Sequence, residues 1–149
     1  MTMATAFQAW ALALLGRGEE CLELDLGVYE LVQAVCLEAA GRGAEGLVMI
    51  QAAEASIRST ASGRDYLDDE LVVEGLATYY GFVGDVGKAT EWLDYAFELS
   101  PDPVDVKILN SALFEQVRDD PLFSEALQRV QQAARERVQA GREQLRSER

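Results

Sequence analysis

Gly41-Arg42-Gly43-Ala44-Glu45-Gly46 reproduces the glycine spacing of dinucleotide-binding loops, and Asp65 and Asp68 follow about twenty residues on, where such sites place a ribose-binding acid. That chemistry needs a strand ahead of the first glycine and a second parallel strand later, so that helix amides point at a pyrophosphate. The preceding Val28, Leu31, Val32, Val35 and Ala39 instead fall at helical spacing, which predicts a turn between two helices. Gly87-Lys88-Ala89 resembles the end of a phosphate loop, but Phe82 stands where its first glycine belongs, and Ala89 has no hydroxyl for magnesium. Asp65, Asp68, Asp69, Glu70 and Glu74 could offer oxygen ligands to a hard cation, yet they lack the alternating spacing of a calcium loop. Acids at that place complement a helix N-terminus, with Asp68 or Asp69 as its cap.

The chain has no histidine, and with it goes the commonest general base and metal ligand. Neither its serines nor Cys21 and Cys36 sit in a nucleophile motif. The two cysteines could pair, but they read more simply as reduced, small, buried apolar residues. The sequence therefore predicts no catalytic residue, no metal and no cofactor.

Around this chemistry stand 149 residues, 49% apolar, enough for one domain with one core. No apolar run approaches the roughly 18 residues of a membrane span, and Trp10 to Leu15 is too short and lacks the basic lead-in of a signal peptide. A cytoplasmic protein is expected. Charge is distributed unevenly: residues 1–120 hold 22 acids against 7 bases, a net of −15, and residues 121–149 hold 4 against 6, a net of +2. An acidic body repels phosphate and anionic lipid, so nucleic acid and membrane are excluded as partners and a basic or mixed protein is favoured.

Helices must carry these residues. Residues 4–15 favour helix and stop at Gly16; residues 28–40 and 44–59 form a helical hairpin, the second with Gly46, Ile50, Ala53 and Ile57 on one stripe. Residues 19–27 fit either a strand or a helix. After a polar connection at 60–68, Val72, Val73, Leu76, Tyr79 and Tyr80 face Ala89, Trp92, Leu93, Ala96 and Phe97 across a Gly84-Asp85 corner. The small Ala89 and Ala96 let two backbones approach between aromatic flanks. Ser100-Pro101 and Asp102-Pro103 punctuate the chain. Asp120-Pro121 then opens a helix through Phe123, Leu127, Val130 and Ala134, beyond which the chain frays or projects.

Taking Glu70 as the first position of a 34-residue unit places Val73, Leu76, Ala77, Tyr80, Ala89, Leu93, Ala96 and Pro101 at the eight signature positions of the tetratricopeptide repeat. The segment resembles that family: five positions match outright, and Val73, Ala77 and Leu93 are other small or apolar residues. Residues 109–130, with their Arg-Asp-Asp-Pro-x-Phe string, resemble the closing segment of repeat domains in bacterial regulators and signalling enzymes. An earlier unit aligns Gly46, Ile50 and Ala53 with Ala89, Leu93 and Ala96, offset by 43 residues instead of 34.

The resemblance implies an all-α domain over 1–140 of about six helices in stacked antiparallel hairpins, with the firm repeat at 70–103, a capping segment at 104–134 and a polar tail at 141–149. It also implies a groove lined at Leu71, Glu74, Thr78 and Gly81, and an interaction module or adaptor that binds a basic or mixed protein segment without catalysis. Two alternatives are an acidic inhibitor or immunity-type protein that blocks a basic enzyme, and a small-ligand sensor or enzyme in a helical cleft. Self-association is open to the apolar N-terminal helix and to the Phe123 stripe.

Overall fold

Three helix ends in this chain close in the same way, each on a glycine of positive φ: Gly16 (72°), Gly41 (75°) and Gly84 (82°). In each, the amide one residue past the glycine bonds back to a carbonyl five residues earlier: Arg17 to Leu12 at 2.8 Å, Arg42 to Leu37 at 2.8 Å and Asp85 to Tyr80 at 3.0 Å. This is the left-handed C-terminal cap that glycine adopts without strain, and it satisfies carbonyls the helix leaves unpaired. A new helix begins two residues after each glycine. The first two corners even share the string Gly-Arg-Gly-x-Glu, in which the arginine pairs with the glutamate three residues on, Arg17 with Glu20 and Arg42 with Glu45. Gly41 to Gly46 is therefore a helix–helix corner, as its flanking periodicity predicts, and not a phosphate cradle.

The computed structural model describes residues 3–27, 31–59, 66–99 and 111–149, and of residues 3, 59, 66–71 and 99 the main chain alone. The described residues form an all-α fold, with eight α-helices and no strand. In order these are α1 (Met3–Leu14), α2 (Gly18–Leu22), α3 (Val32–Ala39), α4 (Gly43–Ser59), α5 (Tyr66–Val83), α6 (Val86–Leu99), a 3₁₀ turn (Ala112–Phe114), α7 (Glu115–Arg118) and α8 (Pro121–Ser147). The ambiguous 19–27 stretch resolves as the short α2 and a turn. Asp68 and Asp69 do not cap α5, because that helix begins earlier, at Tyr66. Asp85 does cap α6, its carboxylate accepting from the Lys88 amide at 3.0 Å, and Asp120 caps α8 through the Leu122 amide at 3.0 Å. Ser100-Pro101, Asp102-Pro103 and Val28 lie outside the described residues.

Packing follows the corners. α5 and α6 form the closest pair, α3 and α4 the next; α3 lies beside α5, α6 beside α8, and α1 packs on α2 and α3 and touches the 3₁₀ turn. One connected apolar core runs from Ala9 to Val130. Val73, Leu76, Ala77, Tyr80, Ala89, Leu93 and Ala96 are all buried in it, as the α5–α6 pattern predicts. Phe114 stacks on Phe123 at 5.5 Å between ring centres and closes the far end.

The cysteines depart from expectation. Cys21 on α2 and Cys36 on α3 form a disulfide with both residues fully buried and Cα atoms 5.4 Å apart, inside the range such bonds require. The reduced reading fails because α2, which the sequence leaves unassigned, lies directly against α3. Cys21 Sγ also sits 3.1 Å from the Ala9 carbonyl, so the cysteine is wedged under α1 as well.

Two measurements check this packing. A Cβ at Gly81 would lie 2.4 Å from the Phe114 ring, which is itself buried, so Gly81→Ala should destabilise the fold by about 1–2 kcal/mol despite alanine's better helix propensity. An unchanged urea midpoint would show that Phe114 can retreat. Reducing the Cys21–Cys36 bond frees a loop spanning 15 residues and should cost about 3 kcal/mol, read as the midpoint difference between oxidised and reduced chains. Two alkylatable thiols in untreated, denatured protein would restore the reduced reading.

Candidate functional site

Glu54 occupies a place on α4 where the stripe of Ile50 and Ile57 calls for an apolar residue, and it is only 8% exposed. A buried carboxylate is tolerable only with donors around it. Its Oε1 accepts from Trp92 Nε1 of α6 at 2.9 Å, from Tyr80 Oη of α5 at 3.0 Å and from Lys88 Nζ of α6 at 3.4 Å. Lys88 also lies over the Tyr80 ring, 5.9 Å from its centre, and reaches Glu91 at 3.8 Å; Arg58 of α4 pairs with the same Glu91 at 3.2 Å and lies over Trp92. Burial alone would raise the Glu54 carboxyl, but hydrogen bonds from Trp92 and Tyr80 and the charge of Lys88 outweigh it and hold the group below its ordinary value. Burial, and then the bond to that carboxylate, push the Tyr80 phenol well above its ordinary range. An ionised Glu54 whose Oε1 is engaged by three donors, beside a phenol that keeps its proton, is a clasp between helices and not an acid–base pair.

The clasp positions the outer face of α6. Trp92 packs edge-on against Tyr95, 5.6 Å between ring centres, and Tyr95 is 38% exposed. Glu91 and Glu98 lie one turn to either side of it, both exposed, and Asp94 beside it meets Arg129 of α8 at 3.1 Å. The result is an aromatic ring bordered by Glu98 and by two acids, Glu91 and Asp94, that are paired with Arg58, Lys88 and Arg129. A shallow open trough of about 760 Å³ continues along α8, lined on that one helix by residues including Gln128, Arg129 and Gln132.

Of the four groove positions expected from the repeat resemblance, the three whose side chains are described are buried or half-buried. Thr78 is buried and its hydroxyl donates to the Glu74 carbonyl at 2.8 Å; Gly81 is buried against Phe114; Glu74 is half-buried. The 3₁₀ turn and α7 pack on α5, with Phe114 lying against Gly81. Leu71's side chain lies outside the described residues. Among the described residues no cluster of three or more potential ligands is placed to hold a metal, and no helix is long and apolar enough to cross a membrane. Comparison with protein-family models, curated proteins and solved structures gave no match.

Both Glu54 and the α6 face left traces in the sequence. Glu54 stands four residues after Ile50 and three before Ile57, the one acid on a buried stripe, and Glu91, Tyr95 and Glu98 share helical spacing opposite Leu93 and Ala96. Since Glu54 is held below its ordinary carboxyl value of 4.5, its stabilisation is complete above that pH and is lost as pH falls through the lower folded value. Glu54→Gln should therefore lower stability at pH 7 by about 1–3 kcal/mol and flatten the decline between pH 5 and pH 3. Urea titrations across that range read both effects, and identical slopes for the two proteins would remove Glu54 from the acid transition.

Proposed function

We propose that this chain is a non-catalytic interaction module that binds a basic or mixed segment of another protein in the cytoplasm, through the outer face of α6. Tyr95 carries the reading. It is an aromatic ring left partly open to solvent, fixed edge-on by Trp92 and bordered by Glu91, Asp94 and Glu98. Such a ring offers contact area at low entropic cost, and its face and acidic surround suit a lysine or arginine side chain. The net −15 of residues 1–120 adds long-range attraction for the same partner. The likeness of residues 70–103 to a tetratricopeptide repeat supports an adaptor role, and because Thr78 and Gly81 are buried and Glu74 half-buried, the reading takes the exposed α6 face as the contact in place of Leu71, Glu74, Thr78 and Gly81. Disulfides are rare in a reducing compartment, so the cytoplasmic location is the part of this reading that the Cys21–Cys36 bond weighs against.

Fluorescence anisotropy with lysine- and arginine-rich peptides tests the assignment. Binding should weaken roughly tenfold or more between low and high salt, and by about as much in Tyr95→Ser and in Glu98→Lys at low salt. Salt-independent binding, or equal affinity in both variants, would overturn it.

A further inference from the structure

Among the described residues, two helix faces are apolar and exposed, and they carry complementary charge. The first lies at the end of α8. Phe123, Ala126, Leu127 and Val130 of that helix are buried, but from Val138 onward every residue is exposed. The apolar stripe nonetheless continues as Ala134, Val138, Gly141 and Leu145, with Val138 57% and Leu145 64% exposed. Residues 131–149 carry five arginines against three glutamates. Side-chain contacts one turn apart, Gln132 to Glu136, Gln139 to Glu143 and Gln144 to Glu148, support this arm, but a helix of a dozen or so residues is marginal in water without a partner. A continuous helix cannot fold its far end back onto its own body, so a second copy of the chain is one source of cover for this stripe.

The second face is on α1. The first 16 residues carry no charged side chain, in a chain where 26% of residues are charged. α1 buries Ala6, Ala9 and Ala13 and leaves Phe7, Leu14 and Leu15 at 47%, 44% and 69% exposure. The exposed acids Glu19 and Glu20 on α2 and Glu23 just past its end follow, Glu20 paired with Arg17 and Glu19 3.9 Å from Arg42.

Charge selects among the possible pairings. Two arms together place like positive charge side by side, and two α1 faces bring two acidic bodies into contact. An arm laid on the α1 face of another copy joins opposite signs and covers both apolar stripes at once. We propose that the chain forms a two-fold dimer by reciprocal exchange, in which the arm of each copy lies along α1 of the other. Val138 and Leu145 cover Phe7, Leu14 and Leu15, and Arg142 and Arg146 face Glu20 and Glu23. The symmetry repeats the contact twice, and the two-fold closes so that no free face remains to build a filament. This contact is independent of the α6 face.

Light scattering on the full chain, from low micromolar to about 200 µM, tests the exchange. The wild type should be dimeric, and Leu145→Glu and Leu15→Glu should each give monomers with unchanged circular dichroism. Arg142→Glu/Arg146→Glu in one chain and Glu20→Arg/Glu23→Arg in another should each be monomeric alone and should restore a dimer when mixed, because only the mixed pair matches charge at both contacts. A wild type that is monomeric throughout overturns the proposal, even if it still binds basic peptides. So does a mixture that fails to pair, or a dimer that survives Leu15→Glu but not Leu145→Glu, which would mean arm-to-arm pairing.

Discussion

Burial of the Glu54 carboxylate sets the terms for the middle of this protein. α4 and α5 touch less than the two helices of either neighbouring hairpin. A charge placed there would be expelled if it were unsatisfied. Trp92, Tyr80 and Lys88 instead converge on one of its oxygens from two other helices, and directional bonds do what a larger apolar contact does elsewhere in the core. The same donors fix the side of α6 that faces inward. Since α6 is a single rigid helix, that choice also fixes which residues face water, and Tyr95 with its acidic neighbours is the outcome.

The inner side of the stack is spent on stability. Gly81 allows the Phe114 ring to press against the α5 backbone, and Phe123 stacks behind it, so two of the positions expected to line a groove, Thr78 and Gly81, are buried. The acidic body, the α6 ring and the arm of α8 stay exposed at the periphery. The trough along α8 belongs to that periphery, since one helix alone lines it.

At the N-terminal end the physics differs. α2 has only 5 residues and could not hold its position by apolar contact alone, and the buried Cys21–Cys36 bond joins it covalently to α3. With α1 seated on both, the first three helices behave as one stapled unit, and the exposed side of α1 is held in place as a surface instead of turning inward.

Much of this was written in local sequence. The glycine corners at Gly16, Gly41 and Gly84, the cap at Asp120, the small residues Ala89 and Ala96 between large ones, and the buried run from Val73 to Tyr80 are all consequences of backbone sterics and helical periodicity, which act over a few residues and need no knowledge of the rest of the chain. The disulfide, the Glu54 clasp and the Gly81–Phe114 contact were not determined in that way. Each joins residues from different helices: Cys21 meets Cys36 only because the short α2 packs on α3, Glu54 lies 38 residues from Trp92, and Gly81 is covered by a ring from beyond the next helix. Periodicity tells which side of a helix is apolar, but not which neighbour will cover it. That depends on how the helices stack, and so the tertiary structure decided which faces stay exposed.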